Sequence, residues 1–149
     1  MGEFGNFWQK DFITVALNDA FPWSNQGPRS RVKLDPSDNT KIIVNNAGKY
    51  KIDFVVFIEN LASSTFYPPS IQVTINGKRI GRARFALQLE PNTVVDECLQ
   101  LTGTVIINVR TDHSVIQLIN RSASGGDSTD ISTCDAGPVA ATINLVKVS

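Results

Sequence analysis

Apolar and polar residues alternate along much of this chain with a period of two, the spacing at which a β-strand sends successive side chains to opposite faces. The longest such run is Lys49–Glu59, where Tyr50, Ile52, Phe54, Val56 and Ile58 form an unbroken apolar face suited to the centre of a core. Further runs predict strands over Phe12–Leu17, Lys41–Asn45, Ser70–Ile75, Lys78–Phe85, Thr93–Leu101, Thr104–Arg110, Val115–Asn120 and Val139–Val148. Turn-forming residues break the pattern at Pro22 to Pro28, Asp35 to Asn39, Asn45 to Gly48, Pro68-Pro69, Asn76-Gly77, Pro91-Asn92 and Thr111-Asp112, and from Ser122 to Pro138. Many short strands with closely spaced turns predict a sandwich or barrel. Asn76-Gly77 predicts a type I′ hairpin, because both residues tolerate the positive φ that this turn demands. The stretch from Ser122 to Asp130 has little to bury and is expected to lie on the surface as a mobile loop.

Two strands carry apolar residues on both faces. In Lys49–Glu59 the second face runs Lys49, Lys51, Asp53, Val55, Phe57, Glu59, and in the last strand Ala140, Thr142, Asn144, Val146 and Val148 stand opposite Val139, Ala141, Ile143 and Leu145. The outer face of an antiparallel sandwich normally meets water. These second faces therefore point to a covering layer, either another protomer or a loop or aromatic segment of the same chain. Aromatic residues gather early, at Phe4, Phe7, Trp8, Phe12, Phe21 and Trp23. They can cover a sandwich edge, pack between protomers or stack on sugars. Residues 1–11 precede the first predicted strand and read as an N-terminal extension, and Glu3-Phe4 is also a dipeptide that a common cloning site encodes.

Composition supports a single β domain spanning 1–149. Val, Ile and Thr supply 39 of 149 residues, against 19 for Leu and Ala, which favours strands over helices. A chain of this length can bury a core without metals or disulfides. Fourteen basic and fourteen acidic residues cancel, so nothing in the net charge points to nucleic acid or to an acidic membrane as partner. No apolar run approaches the roughly 20 residues of a membrane-spanning helix. The first residues lack the basic and apolar regions of a signal peptide. One histidine and two cysteines are too few for a zinc or cupin-type metal site. His113 sits in the polar turn Thr111-Asp112-His113-Ser114, and neither a Gly-x-Ser-x-Gly elbow nor a phosphate-binding loop occurs. The expectation is a protein that is not an enzyme and needs no cofactor.

Three groups of residues stand out. Lys78, Arg79, Arg82 and Arg84 put four cations on the predicted hairpin, either as a ligand-binding ridge for sulfated or sialylated glycans or as a charged edge that resists strand pairing. Asp127, Asp130 and Asp135 crowd the long loop, as weak candidates for calcium ligands or as a solvated surface. Cys98 and Cys134 are open to an intrachain disulfide, to free thiols or to cross-linking between chains.

The run Ile42-Ile43-Val44-Asn45-Asn46-Ala47-Gly48-Lys49-Tyr50-Lys51-Ile52-Asp53-Phe54 resembles the globular head of complement component 1q and its relatives. Gly48, Tyr50 and Phe54 match that family's Gly-x-Tyr-x-Phe-x-aromatic pattern, while Ile42 and Ile52 stand where Phe is usual. Gly-x-Tyr-Lys-Ile is similar to the C-terminal domains of bacterial collagen-like exosporium (spore-surface) glycoproteins. Ile71 to Gly77, Val115 to Asn120 and Ala141 to Val148 add to the likeness. The resemblance implies a ten-stranded jelly roll of the complement 1q and tumour necrosis factor type, assembled as a homotrimer with both chain ends on one side. It makes Lys51, Asp53, Val55 and Phe57 candidates for the trimer interface. It further implies a structural or ligand-presenting role on a bacterial spore or cell surface, with a surface glycan or another spore-coat protein as partner. A carbohydrate-binding module or the receptor-binding tip of a phage fibre is the alternative. No Gly-x-y collagen tract lies within the 149 residues.

Overall fold

The computed structural model describes residues 2–59, 69–87, 98–122, 130–134 and 139–149. Twelve β elements follow one another: β1 (Phe4–Gln9), β2 (Thr14–Val15), β3 (Asn25–Ser30), β4 (Val32–Asp35), β5 (Asp38–Val44), β6 (Gly48–Glu59), β7 (Ser70–Ile75), β8 (Lys78–Ala86), β9 (Cys98–Val109), β10 (Ser114–Asn120), β11 (Ile131–Ser132) and β12 (Ala141–Lys147). Ten of them build two five-stranded sheets, ordered β3-β1-β12-β6-β9 and β4-β5-β10-β7-β8, while β2 and β11 pair apart from both. From β5 the chain crosses to the first sheet for β6 and returns to the second for β7 and β8. It crosses again for β9, returns for β10 and ends in the first sheet with β12. This is the path of a jelly roll.

The inner faces of the two sheets make one core. Tyr50, Ile52, Phe54, Val56 and Ile58 of β6 are all buried, in one cluster with Ile42 and Val44 of β5, Ile71 and Val73 of β7, and Ile116 and Leu118 of β10. Leu101, Val105, Ile107 and Val109 of β9 and Ala141, Ile143 and Leu145 of β12 complete the first sheet's contribution. Period-two burial in β6, β9 and β12 follows their period-two sequence. The β7–β8 turn has φ of 50° at Asn76 and 81° at Gly77, as its sequence predicts for a type I′ hairpin.

Several elements differ from the sequence reading. Residues 4–9 do not extend away from the domain. They form β1, paired with β12 on one side and β3 on the other, with Phe7 wholly buried. β3 overlaps the predicted break from Pro22 to Pro28, and β4 lies between that break and the next, where no strand was predicted. β3 lies at a sheet edge, where Pro28 has no ladder bond to lose, and the register shift against β1 falls at Gly27-Pro28 opposite Asn6. Within the predicted strand Phe12–Leu17, only Thr14–Val15 is paired.

The separately predicted strands ending at Leu101 and starting at Thr104 belong to one strand, β9. Gly103 lies within it, opposite Phe54, and its missing side chain makes room for the rings of Phe54 and Phe85. Those rings meet edge to face with centroids 5.5 Å apart. The long loop is also anchored near its end. Ile131 is buried, Ile131–Ser132 pairs with Thr14–Val15, and Thr133 bridges Ile58. Beside them a Cys98–Cys134 disulfide, with Cα atoms 5.9 Å apart, ties this segment to the start of β9.

Two stability measurements follow. A Cβ at Gly103 would lie 2.4 Å from the Phe54 ring, so Gly103→Ala is expected to lower unfolding free energy by about 1–3 kcal/mol in urea titrations. Reduction of the disulfide, which spans 36 residues, is expected to remove up to about 4 kcal/mol; an unchanged midpoint would assign it no role in stability.

Candidate functional site

The register of the first sheet assembles its outer face into cross-strand rows. Phe4 of β1 lies opposite Val146 of β12, Val146 opposite Lys51 of β6, and Lys51 opposite Ile106 of β9. The next row is Asn6, Asn144, Asp53 and Thr104, and the one after it Trp8, Thr142, Val55 and Thr102. Phe57, opposite Gln100, lies beyond. Phe4, Ile106 and Val146 are 40–48% exposed, among the most exposed large apolar side chains of the described residues. Between them the stem of Lys51 continues the row.

Of the sequence-predicted interface residues, Lys51 is exposed, and Asp53, Val55 and Phe57 are half-buried. Lys51 and Asp53 face each other at 4.0 Å on one strand, and Asp53 accepts a 2.7 Å hydrogen bond from the Thr104 hydroxyl. Lys51 and Asp53 thus meet within the protomer. Asn6 donates to Asn144, so the middle row is a hydrogen-bonded polar stripe between two partly apolar ones. The sequence flagged Val146 on the second face of the last strand and Phe4 among the early aromatics, but neither Ile106 nor the row that the three form, because their meeting depends on pairing between distant strands.

The early aromatics divide. Phe7, Phe21 and Trp23 are buried in the core, Trp8 is half-buried on the outer face, and Phe4 and Phe12 are exposed. Core packing accounts for the first three.

Where the first and last strands meet, Glu3 is buried in a polar cluster. Lys147 Nζ lies 3.2 Å and Arg31 Nη1 3.7 Å from its carboxylate. Asn46 and the Tyr50 hydroxyl donate to it as well, and that hydroxyl also bonds the Asn46 carbonyl at 2.7 Å. Burial by itself would raise the Glu3 pKa. The hydrogen bonds from Asn46 and Lys147, the Lys147 charge and the Tyr50 bond outweigh it, holding the carboxyl below its ordinary 4.5. Burial, then the charge and hydrogen bond of Glu3 and the charge of Asp112, push the Tyr50 phenol up to about 12. Glu3 is therefore an integral part of the fold.

The four hairpin cations do not form one ridge. Gln72 pairs with Arg84 but Thr74 with Arg79, so the four residues Ile80 to Ala83 form a bulge against Val73 alone. The bulge brings Arg79 and Arg84 to the outer face of the second sheet. Lys78 and Arg82 instead line a groove of about 520 Å3 with Ile75, Ile80, Ile107 and Arg110. Of the candidate calcium ligands, Asp130 is exposed, while Asp127 and Asp135 lie outside the described residues. No cluster of metal-ligating side chains occurs among the described residues.

With this geometry in place, comparison with solved structures decides the fold. The Eiger tumour necrosis factor of S. frugiperda superposes with a TM-score of 0.72 at 14% identity, over 99% of this chain and 93% of that one. The fold is the tumour necrosis factor and complement 1q jelly roll. The globular domain of zebrafish complement 1qA gives 0.70 at 8% identity, over 100% and 98% of the two chains. Murine APRIL at pH 8.5 gives 0.63 at 10%, over 99% and 100%. No family model and no curated protein matches the sequence.

The Glu3 cluster has a pH signature. A lowered carboxylate pKa contributes stability that is fully present above the unfolded value near 4.5 and lost as pH falls through the folded one. Glu3→Gln is expected to lower stability at pH 7 by about 1–3 kcal/mol and to flatten the acid limb of a stability–pH profile. An acid limb identical to that of the parent would remove Glu3 as its source.

Proposed function

We propose that this chain is one protomer of a homotrimer, joined through the outer face of the first sheet, and that it is a non-enzymatic structural or ligand-presenting domain. The observation that carries this reading is the row Phe4–Val146–Lys51–Ile106, which leaves large apolar side chains on the outer face of a sheet whose inner face is already packed. Covering what remains exposed of such side chains contributes roughly 1 kcal/mol each, whereas the neighbouring polar stripe can supply directional bonds that set how the protomers meet. Three-fold assembly is taken from the resemblance to complement 1q heads. A place on a bacterial spore or cell surface rests on the likeness of Gly48-Lys49-Tyr50-Lys51-Ile52 to exosporium glycoproteins. The intrachain disulfide supports an oxidising setting.

Sedimentation equilibrium at micromolar concentration tests the assembly. A mass near three times 16.3 kDa is expected, and a single-chain mass overturns the proposal. Val146→Asp and Ile106→Asp, both at exposed positions, are expected to yield monomers with unchanged far-UV dichroism. Phe57→Asp is expected to do the same if the contact extends along β6; retention of the trimer there would confine it to the first rows.

A further inference from the structure

The outer face of the second sheet carries a group of arginines that the trimer reading does not use. Arg121, just past the end of β10, joins Arg79 and Arg84 of β8 around one turn of the chain. Arg121 Nη1 donates to Asn18 Oδ1 at 2.5 Å, and Arg79 Nη2 approaches the same oxygen at 3.5 Å. Arg84 places Nη2 2.8 Å from the Arg121 carbonyl and Nε 3.2 Å from Ser70 Oγ. Three guanidinium groups are therefore held together by neutral acceptors. Among the described residues none of them has an acidic partner, and Asp19, next to Asn18, forms no ion pair with them. The Arg121 Nε atom is buried with no hydrogen-bond partner.

The backbone beneath is fixed. Asn18 has a φ of 69°, its amide donates to the Asn120 carbonyl at 2.8 Å, and the Asp19 amide closes the turn on Ala16 at 3.0 Å. The Arg121 amide donates to the Ser70 carbonyl at 2.8 Å. The β8 bulge is what permits the convergence, since strict alternation would send residues 79 and 84 to opposite faces. Like charges gathered without counter-charge repel one another. Burial, then the charges of Arg79 and Arg84, lower the Arg121 pKa. An anion drawn into this group relieves that repulsion.

We propose that Arg79, Arg84 and Arg121 form a binding site for a tetrahedral oxyanion ester, a sulfate or phosphate group. A carboxylate is planar, and one bidentate guanidinium occupies the fork between its two oxygens. A sulfate or phosphate ester presents three terminal oxygens around one centre, enough to accept hydrogen bonds from all three arginines at once. The site belongs to each protomer by itself and does not depend on assembly.

Isothermal titration of the full chain at low salt with two compact probes tests the site: sucrose octasulfate for sulfate esters and inositol hexakisphosphate for phosphate esters. Saturable binding of at least one is expected, and the tighter of the two identifies the ester. The Arg79→Gln/Arg84→Gln double variant is expected to weaken it tenfold or more, as is Arg121→Gln. Should Arg121→Gln fail to fold, the double variant carries the test, because both of its positions are exposed. Lys78→Gln/Arg82→Gln, which removes two cations from the groove instead, is expected to change affinity less than twofold. Equal loss in that control would show diffuse charge attraction and overturn the site. So would binding of neither probe, or binding of a short polyglutamate as tight as the better probe.

Discussion

The structure turns on β6, the strand that both halves of the first sheet share. It is hydrogen-bonded along its full length to β9 and over most of it to β12. Its inner side chains from Tyr50 to Ile58 are the layer against which the second sheet packs. Because a strand has only two faces, its outer residues are placed in the same act. The requirement that Tyr50, Ile52, Phe54, Val56 and Ile58 be buried puts Lys51, Asp53, Val55 and Phe57 on the opposite surface. The candidate interface is thus a by-product of core formation, and a one-residue slip would exchange the two.

That coupling explains what the sequence disclosed. Alternation was readable wherever one face was uniformly apolar, as in residues 48–59, 70–75 and 141–147, and the Asn76-Gly77 turn announced its own geometry. β1 was missed because Gly5 and Asn6 interrupt its short apolar pattern. β3 and β4 were missed because Gly27, Pro28 and Pro36 are turn formers unless a neighbouring strand shows that they sit at an edge or a bulge. Gly103 read as a gap because its reason for being glycine, the ring of Phe54, lies on another strand.

The candidate sites show the same limit more sharply. The second apolar face of residues 49–59 was visible, but the row joining Phe4, Val146 and Ile106 required three registers at once. The cations at 78–84 were conspicuous as a cluster in sequence, but closeness along the chain did not show which face each one takes. The β8 bulge separated them, and Arg121, isolated in the sequence, entered the group only through the β10–β7 pairing that carries it past Ser70. Net neutrality had concealed this local excess of positive charge.

The placement of the two chain ends has a mechanical consequence. β1 and β12 are antiparallel neighbours, and Phe4 faces Val146 at the pole where Lys147 meets Glu3. A force that drew the termini apart would load this ladder at its outermost rung and open its bonds one after another, like a zipper, beginning with the Glu3–Lys147 contacts. A sheet loaded along its strands must break many such bonds together. Tension between the termini therefore meets the molecule in its weakest direction, whereas tension borne by one terminus and the outer face of the first sheet would not run down this ladder.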